Sequence, residues 1–141
     1  MQPFINVWAA IGPLLGVLVG SWLTMRYQRK LWLLDNRRAE YRKLLSTLSE
    51  SATQALHAFA IETVDPVLPR SSRRMTSAIA KSVNVIYSRL FIADDIKKLD
   101  VMKRWQSTLD ALQKERNVIT FHKKLDSLMD DLRAVALKDF S

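Results

Sequence analysis

The hydrophobic and polar positions divide the chain into one long apolar stretch and a series of amphipathic segments. Residues 4–25 carry no charged side chain, whereas charged side chains recur from Arg26 to the end of the sequence. A helix over this stretch would be about 33 Å long, enough to cross a hydrocarbon core of about 30 Å. The pattern therefore predicts a transmembrane anchor in residues 1–25.

The predicted first helix continues beyond this anchor. From Arg26 to Thr63 the sequence contains neither glycine nor proline. Further along, apolar residues recur at alternating steps of four and three, which is the spacing of one buried helical face. We expect one helix from about residue 4 to 63, basic in residues 26–40 and joining a bundle formed by residues 41–141. Its predicted buried positions are Tyr41, Leu45, Leu48, Ala52, Ala55 and Phe59.

Three further helices are predicted. Pro66 and Pro69, followed by two serines, should end the first helix and begin the next. The second helix is expected over 72–93, the third over 95–115 with Asp94 as its N-cap, and the fourth over 118–137. The predicted fold is all-α, a four-helix cytoplasmic bundle that includes half of the first helix. The predicted apolar faces are Met75, Ile79, Val83, Ile86 and Leu90; Ile96, Leu99, Met102, Leu109 and Leu112, with Trp105 flanking; and Val118, Phe121, Leu125, Leu128, Leu132 and Val135.

Charge predicts the orientation of the anchor. The chain carries a net charge of +8, and residues 26–43 contribute most of it. Basic residues beside a membrane helix favour the cytoplasmic side and attract anionic lipid. No basic region precedes the apolar stretch and no cleavage pattern follows it, so we expect a retained anchor in a bacterial inner membrane. Its N-terminus would lie outside, and the predicted headgroup contacts are Arg26, Arg29, Lys30, Arg37 and Arg38.

Composition excludes several classes of site. The chain has no cysteine, which rules out disulfides and cysteine-based zinc sites. All three glycines lie in the apolar stretch, so no glycine-rich phosphate loop of the Walker or Rossmann type is present. No histidine or carboxylate cluster has metal-ligand spacing, and we expect neither a metal nor a cofactor. The concentration of basic residues at the membrane junction disfavours nucleic acid as a partner. His57 is expected to be a half-buried structural residue.

The glycines share one helical face. Gly12, Gly16 and Gly20 are each four residues apart, and Thr24 extends the stripe. In lipid, small residues at this spacing let two helix backbones approach closely. The stripe therefore predicts a homo-oligomer assembled through this face. The alternative is that glycine is simply common in membrane helices.

One pair of residues suggests catalysis. Arg116 and His122 lie in the sequence RNVITFH, with the polar Asn117 directly after the arginine. This resembles the R-x4-6-H signature of HEPN-type ribonucleases, whose two protomers cleave RNA without a metal. The resemblance implies that His122 transfers a proton and that Arg116 stabilises phosphate charge. The alternative is a surface arginine near a helix start and a histidine on a solvated face.

Two wider resemblances bear on function. The stretch WLTMRYQRKLWLLDNRRAEYRKLLSTLSE resembles the start of many small bacterial membrane proteins of unknown function. The whole architecture resembles the HEPN-like membrane accessory proteins encoded beside type VI-B CRISPR effectors, which implies a pore-forming oligomer in antiphage defence. The leading hypothesis is thus a non-enzymatic oligomer that perturbs or perforates the inner membrane. The alternatives are a membrane-tethered HEPN-like ribonuclease and a scaffold that recruits a cytosolic protein.

Overall fold

The computed structural model of the chain consists of helices joined by short turns in the part that it describes. It describes the backbone of residues 2–64 and 69–139, and the side chains of residues 11–64 and 73–139. No strand occurs in these ranges. The all-α prediction is therefore confirmed. The helices are α1 (Gln2–Val64), α2 (Pro69–Tyr87), α3 (Ala93–Lys98), α4 (Val101–Gln113) and α5 (Val118–Lys138).

The chain divides into two compact units, Met1–Asn36 and Arg37–Ser141. The first unit consists of the N-terminal part of α1, which continues through Pro13 without ending. Within the part of the chain that the structure describes, no helix contains a segment long and apolar enough to span a bilayer. Residues 4–10 of the predicted anchor lie outside the residues whose side chains are described.

The second unit contains a hydrophobic core to which all five helices contribute side chains. The α1 face predicted from the four-and-three spacing lies on this core, as does the predicted face of α5. The largest fully buried side chains include Trp105 of α4 and Phe121 of α5. The prediction that Trp105 only flanks the core was wrong, because the ring is 0% exposed and donates a 2.8 Å hydrogen bond from Nε1 to the buried Ser82 Oγ.

The predicted second helix was too long. It was expected to reach Ala93, but α2 ends at Tyr87. The backbone N–H groups of Leu90, Phe91 and Ile92 donate to the carboxylate of Glu40 on α1 instead of to carbonyls of the preceding turn. As a result Leu90, predicted to be buried, is 81% exposed. A carboxylate distant in sequence therefore sets the end of this helix.

The predicted third helix is two helices. The chain leaves the helical conformation at Asp100, whose φ of 49° is left-handed, and Asp94 lies in the first turn of α3 rather than at its N-cap. Ile96 and Val101 are both buried, yet on a continuous helix they would point about 140° apart. The break directs both side chains into the core, and aspartate is one of the residues that adopts the left-handed conformation at low cost.

The remaining boundaries agree more closely with expectation. The α2 helix begins at Pro69, before the serines that were expected to cap it, and proline is favoured at a first helical position. The predicted break over residues 65–68 lies outside the described residues. The α5 helix begins at Val118 as predicted, because Asn117 Oδ1 accepts a 3.1 Å hydrogen bond from the Thr120 N–H and caps it.

Candidate functional site

The N-terminal part of α1 exposes an apolar surface. Every side chain from residue 11 to 33 is exposed. We call residues 11–25 the apolar segment, since they include no charged side chain. Large exposed apolar surfaces are in general typical of sites that contact a membrane or another protein. The large exposed side chains of the segment are Ile11, Leu14, Leu15, Val17, Leu18, Val19, Trp22, Leu23 and Met25.

The glycine stripe lies on this surface. A Cβ atom placed on Gly12, Gly16 or Gly20 would have no atom within 4 Å outside the local helix backbone. The glycines are therefore not required by packing within the described chain. Thr24 Oγ1 donates a 2.8 Å hydrogen bond to the Gly20 carbonyl, so its hydroxyl is satisfied within the helix. The stripe presents a flat backbone surface that a second helix could approach closely.

The border of the apolar segment is basic. The guanidinium of Arg26 lies over the Trp22 ring, 5.2 Å from its centroid, which is a cation–π contact. Arg29, Lys30 and Arg38 are exposed. A tryptophan beside exposed basic side chains is typical of the lipid headgroup region.

Arg37, the remaining predicted headgroup contact, lies within the second unit and pairs with two carboxylates. Its Nη2 atom is 2.8 Å from Asp95 Oδ2 of α3 and 2.5 Å from Asp139 Oδ2 at the end of α5. The Tyr41 hydroxyl donates a 2.6 Å hydrogen bond to the same Asp95 oxygen. Burial, followed by the hydrogen bond to Asp95, raises the pKa of Tyr41 above its ordinary value. This cluster connects α1 to the ends of two other helices.

Glu40 holds the connection between α2 and α3. Its Oε1 accepts a hydrogen bond of 3.0 Å from the Leu90 N–H, and its Oε2 accepts bonds of 2.8 and 3.1 Å from the N–H groups of Phe91 and Ile92. One carboxylate thus accepts hydrogen bonds from three consecutive backbone donors that lie beyond the end of α2. The sequence did not identify Glu40 as important, because its role depends on residues about fifty positions away.

Arg116 and His122 are both exposed. Arg116 lies in the α4–α5 connection with a left-handed φ of 51°. Its Nη1 is 3.4 Å from Glu62 Oε1, and its guanidinium is 4.9 Å from the centroid of the Phe59 ring. The His122 ring packs edge-on against Phe121 at 5.7 Å between centroids. Both contacts of Arg116 are structural, and the ribonuclease hypothesis remains a prediction.

His57 does not occupy the half-buried position that was expected. Its side chain is exposed and lines an open groove with residues of α2, including Arg74 and Ser77. Among the described residues, no group of three histidine or carboxylate side chains could hold a metal ion.

Comparison of the chain with models of protein families, with curated proteins and with solved structures found no match.

Proposed function

We propose that the chain is a membrane-anchored, self-associating protein whose helical unit lies in the cytoplasm. The observation that carries the proposal is the apolar segment, residues 11–25, which has no charged residue and no buried side chain. Leaving such a surface in water is unfavourable by about 25 cal/mol per Å2 of apolar area. Lipid removes that cost along the whole circumference of the helix, whereas a groove on a partner would cover one side.

The anchor includes residues 4–10 together with the apolar segment, because the full uncharged stretch has the length that a bilayer requires. Arg26, Arg29 and Lys30 then lie at the cytoplasmic headgroups, with Trp22 beside them. This arrangement places the N-terminus outside and the second unit inside the cell.

Within the membrane, chains associate through the glycine stripe. The open space beside all three glycines supports this assignment, since nothing in the described chain uses the close approach that they permit. Association of several such helices perturbs the bilayer and provides a route to its perforation. This is the behaviour expected of an effector that acts on the inner membrane in antiphage defence.

Cysteine labelling tests the anchor, because the natural chain has no cysteine. In intact spheroplasts, a membrane-impermeant maleimide should label Gln2→Cys but should label Ser141→Cys only after lysis. The reverse pattern would refute the proposed orientation. Release of both variants from membranes by alkaline carbonate would refute the anchor itself.

The mass of the detergent-extracted complex tests the glycine stripe. Gly16→Leu places a bulky side chain on the stripe and should reduce the mass of the extracted complex to that of a smaller oligomer or of the monomer. Val17→Leu, one position along and off the stripe, is the matched control and should leave the mass unchanged. An unchanged mass for Gly16→Leu would reject assembly through this face. Leakage of dye from liposomes tests perforation separately, and an intact oligomer that causes no leakage would exclude it.

A further inference from the structure

An open groove of about 520 Å3 lies between α2, α3 and α4, within the second unit. Its floor is apolar and belongs to the core, while its rim carries charged, aromatic and amide side chains. This volume lies within the range of small-molecule sites in proteins. These rim residues are Tyr87, Arg89, Lys97, Asp100, Lys103 and Gln106.

Three cations reach this groove from three different parts of the fold. Arg89 comes from the α2–α3 connection, Lys97 from α3 and Lys103 from α4, against the single carboxylate of Asp100. Lys97 and Lys103 are exposed, and among the described residues neither has an ion-pair partner. The groove therefore has an excess of positive charge that a bound anion would neutralise.

One of these cations is held in place before any ligand binds. The Nε atom of Arg89 donates a 3.0 Å hydrogen bond to the Val85 carbonyl, and its Nη2 donates a 2.9 Å bond to Ser88 Oγ. These bonds restrict the side chain while leaving its other N–H groups available. A preorganised guanidinium is well suited to the oxygens of a phosphate.

The groove also offers a surface for a flat ring. The Tyr87 side chain is 73% exposed and lies on the groove next to Arg89 in the chain, and the amide of Gln106 lines it as well. An exposed aromatic face is a stacking platform for a nucleobase, and an amide can bond to its edge. We propose that this groove binds a nucleotide, with the phosphates on Arg89, Lys97 and Lys103 and the base on Tyr87.

This mode of binding uses side-chain cations and so needs no glycine-rich loop. A second basic groove, between α4 and α5, is less suitable. There Arg104 is already paired with Asp131 at 2.8 Å, and Lys124 Nζ donates to Ser107 Oγ at 2.9 Å. Two of its three cations, Arg104 and Lys124, are thus engaged within the protein, and its described lining residues include no aromatic side chain.

The test measures binding of a fluorescent N-methylanthraniloyl derivative of ATP to the full-length chain in detergent micelles. Saturable binding with one site per chain is expected. Lys97→Glu and Lys103→Glu should each weaken it by about tenfold or more, as for loss of a hydrogen bond to a charged group. Lys98→Glu is the matched control, because Lys98 is an exposed neighbour on α3 that does not line the groove. It should change the affinity less than twofold, which corresponds to less than about 0.4 kcal/mol.

Two substitutions of Tyr87 test whether its ring stacks on the base. Tyr87→Phe keeps the stacking surface and should retain binding, whereas Tyr87→Ala should weaken it by about fivefold or more. Absence of saturable binding, or equal weakening by Lys97→Glu and Lys98→Glu, would overturn the site. Binding of tripolyphosphate as tight as that of the nucleotide, with no effect of Tyr87→Ala, would overturn a nucleotide as the ligand. Tighter binding of an RNA oligonucleotide than of the nucleotide would also overturn a nucleotide as the ligand. None of these outcomes depends on whether the N-terminal helix enters a membrane.

Discussion

Replacement of Glu40 should destabilise the helical unit more than its position on the α1 surface suggests. In the folded chain its carboxylate accepts hydrogen bonds from three consecutive backbone N–H groups between α2 and α3. Glu40→Ala removes this acceptor from all three donors. Glu40→Gln offers one acceptor oxygen and turns an N–H2 group towards the remaining donor.

The magnitude follows from the surroundings of each donor. Leu90 is 81% exposed, so water can replace the bond to its N–H at little cost. Ile92 is 0% exposed and Phe91 is partly buried, and an unpaired buried donor costs about 1–3 kcal/mol. We therefore expect Glu40→Ala to lower the free energy of unfolding by about 3 kcal/mol. Glu40→Gln keeps two weakened bonds and should cost about 1.5 kcal/mol.

Fluorescence of Trp105 in urea provides the assay. Trp105 is the one tryptophan of the second unit, so the other three are replaced by phenylalanine in every variant. With a slope of about 1.5 kcal/mol/M, Glu40→Ala should lower the urea midpoint by about 2 M. Glu115→Gln is the control, because Glu115 is an exposed carboxylate, and its expected change is below about 0.5 kcal/mol. If Glu40→Ala matched this control, the assignment of the three N–H groups to Glu40 would be incorrect.

Three further predictions concern the same unit. Ser82→Ala removes the acceptor of the buried Trp105 N–H and should cost about 1–3 kcal/mol by the same urea assay, with no loss refuting the bond. Burial and the bond to Asp95 raise the pKa of Tyr41 in the folded chain. The protonated hydroxyl therefore stabilises the fold below about pH 10, the ordinary pKa of tyrosine, and this stabilisation is lost as the pH rises through the pKa of the folded state. The difference in absorbance between the natural chain and Tyr41→Phe isolates Tyr41. At about pH 11 this difference should show no Tyr41 phenolate until urea unfolds the protein. A Tyr41 phenolate in the native state would contradict the raised pKa. Arg116 has a φ of 51°, so Arg116→Gly should be more stable than Arg116→Ala by about 1 kcal/mol, and equal stability would argue against a left-handed residue there.

The helical class and most of the core followed from spacing alone. The four-and-three spacing of α5 predicted its face and its first residue, because an amphipathic helix displays in sequence the side that it buries. The same reasoning was wrong for Leu90, which continues the α2 pattern but is exposed. Periodicity shows which residues would share a face if the helix continued. It does not show that Glu40 accepts hydrogen bonds from the backbone N–H groups that α2 would need in order to continue.

The candidate sites also differ in whether the sequence alone could predict them. The glycine stripe and the basic border could be identified from sequence because all of their residues lie within a few turns of one helix. The groove between α2, α3 and α4 could not, since its cations come from three elements and meet only when the chain turns at Asp100. The ion pairs of Arg37 with Asp95 and Asp139 could not be predicted from sequence either, because they join residues that are distant along the chain. Sequence reasoning assigned this arginine to lipid headgroups.

The sequence by itself determined that the chain is helical, which faces of its helices are apolar, and that its charge-free stretch and its glycines lie together at the N-terminus. These properties are local, and they depend on side chains within a few residues of one another. Tertiary structure decided where α2 ends, that one expected helix becomes α3 and α4, and which polar groups meet across the unit. Those outcomes depend on single contacts between distant residues, such as Glu40 with the Phe91 N–H, and no local periodicity encodes such contacts.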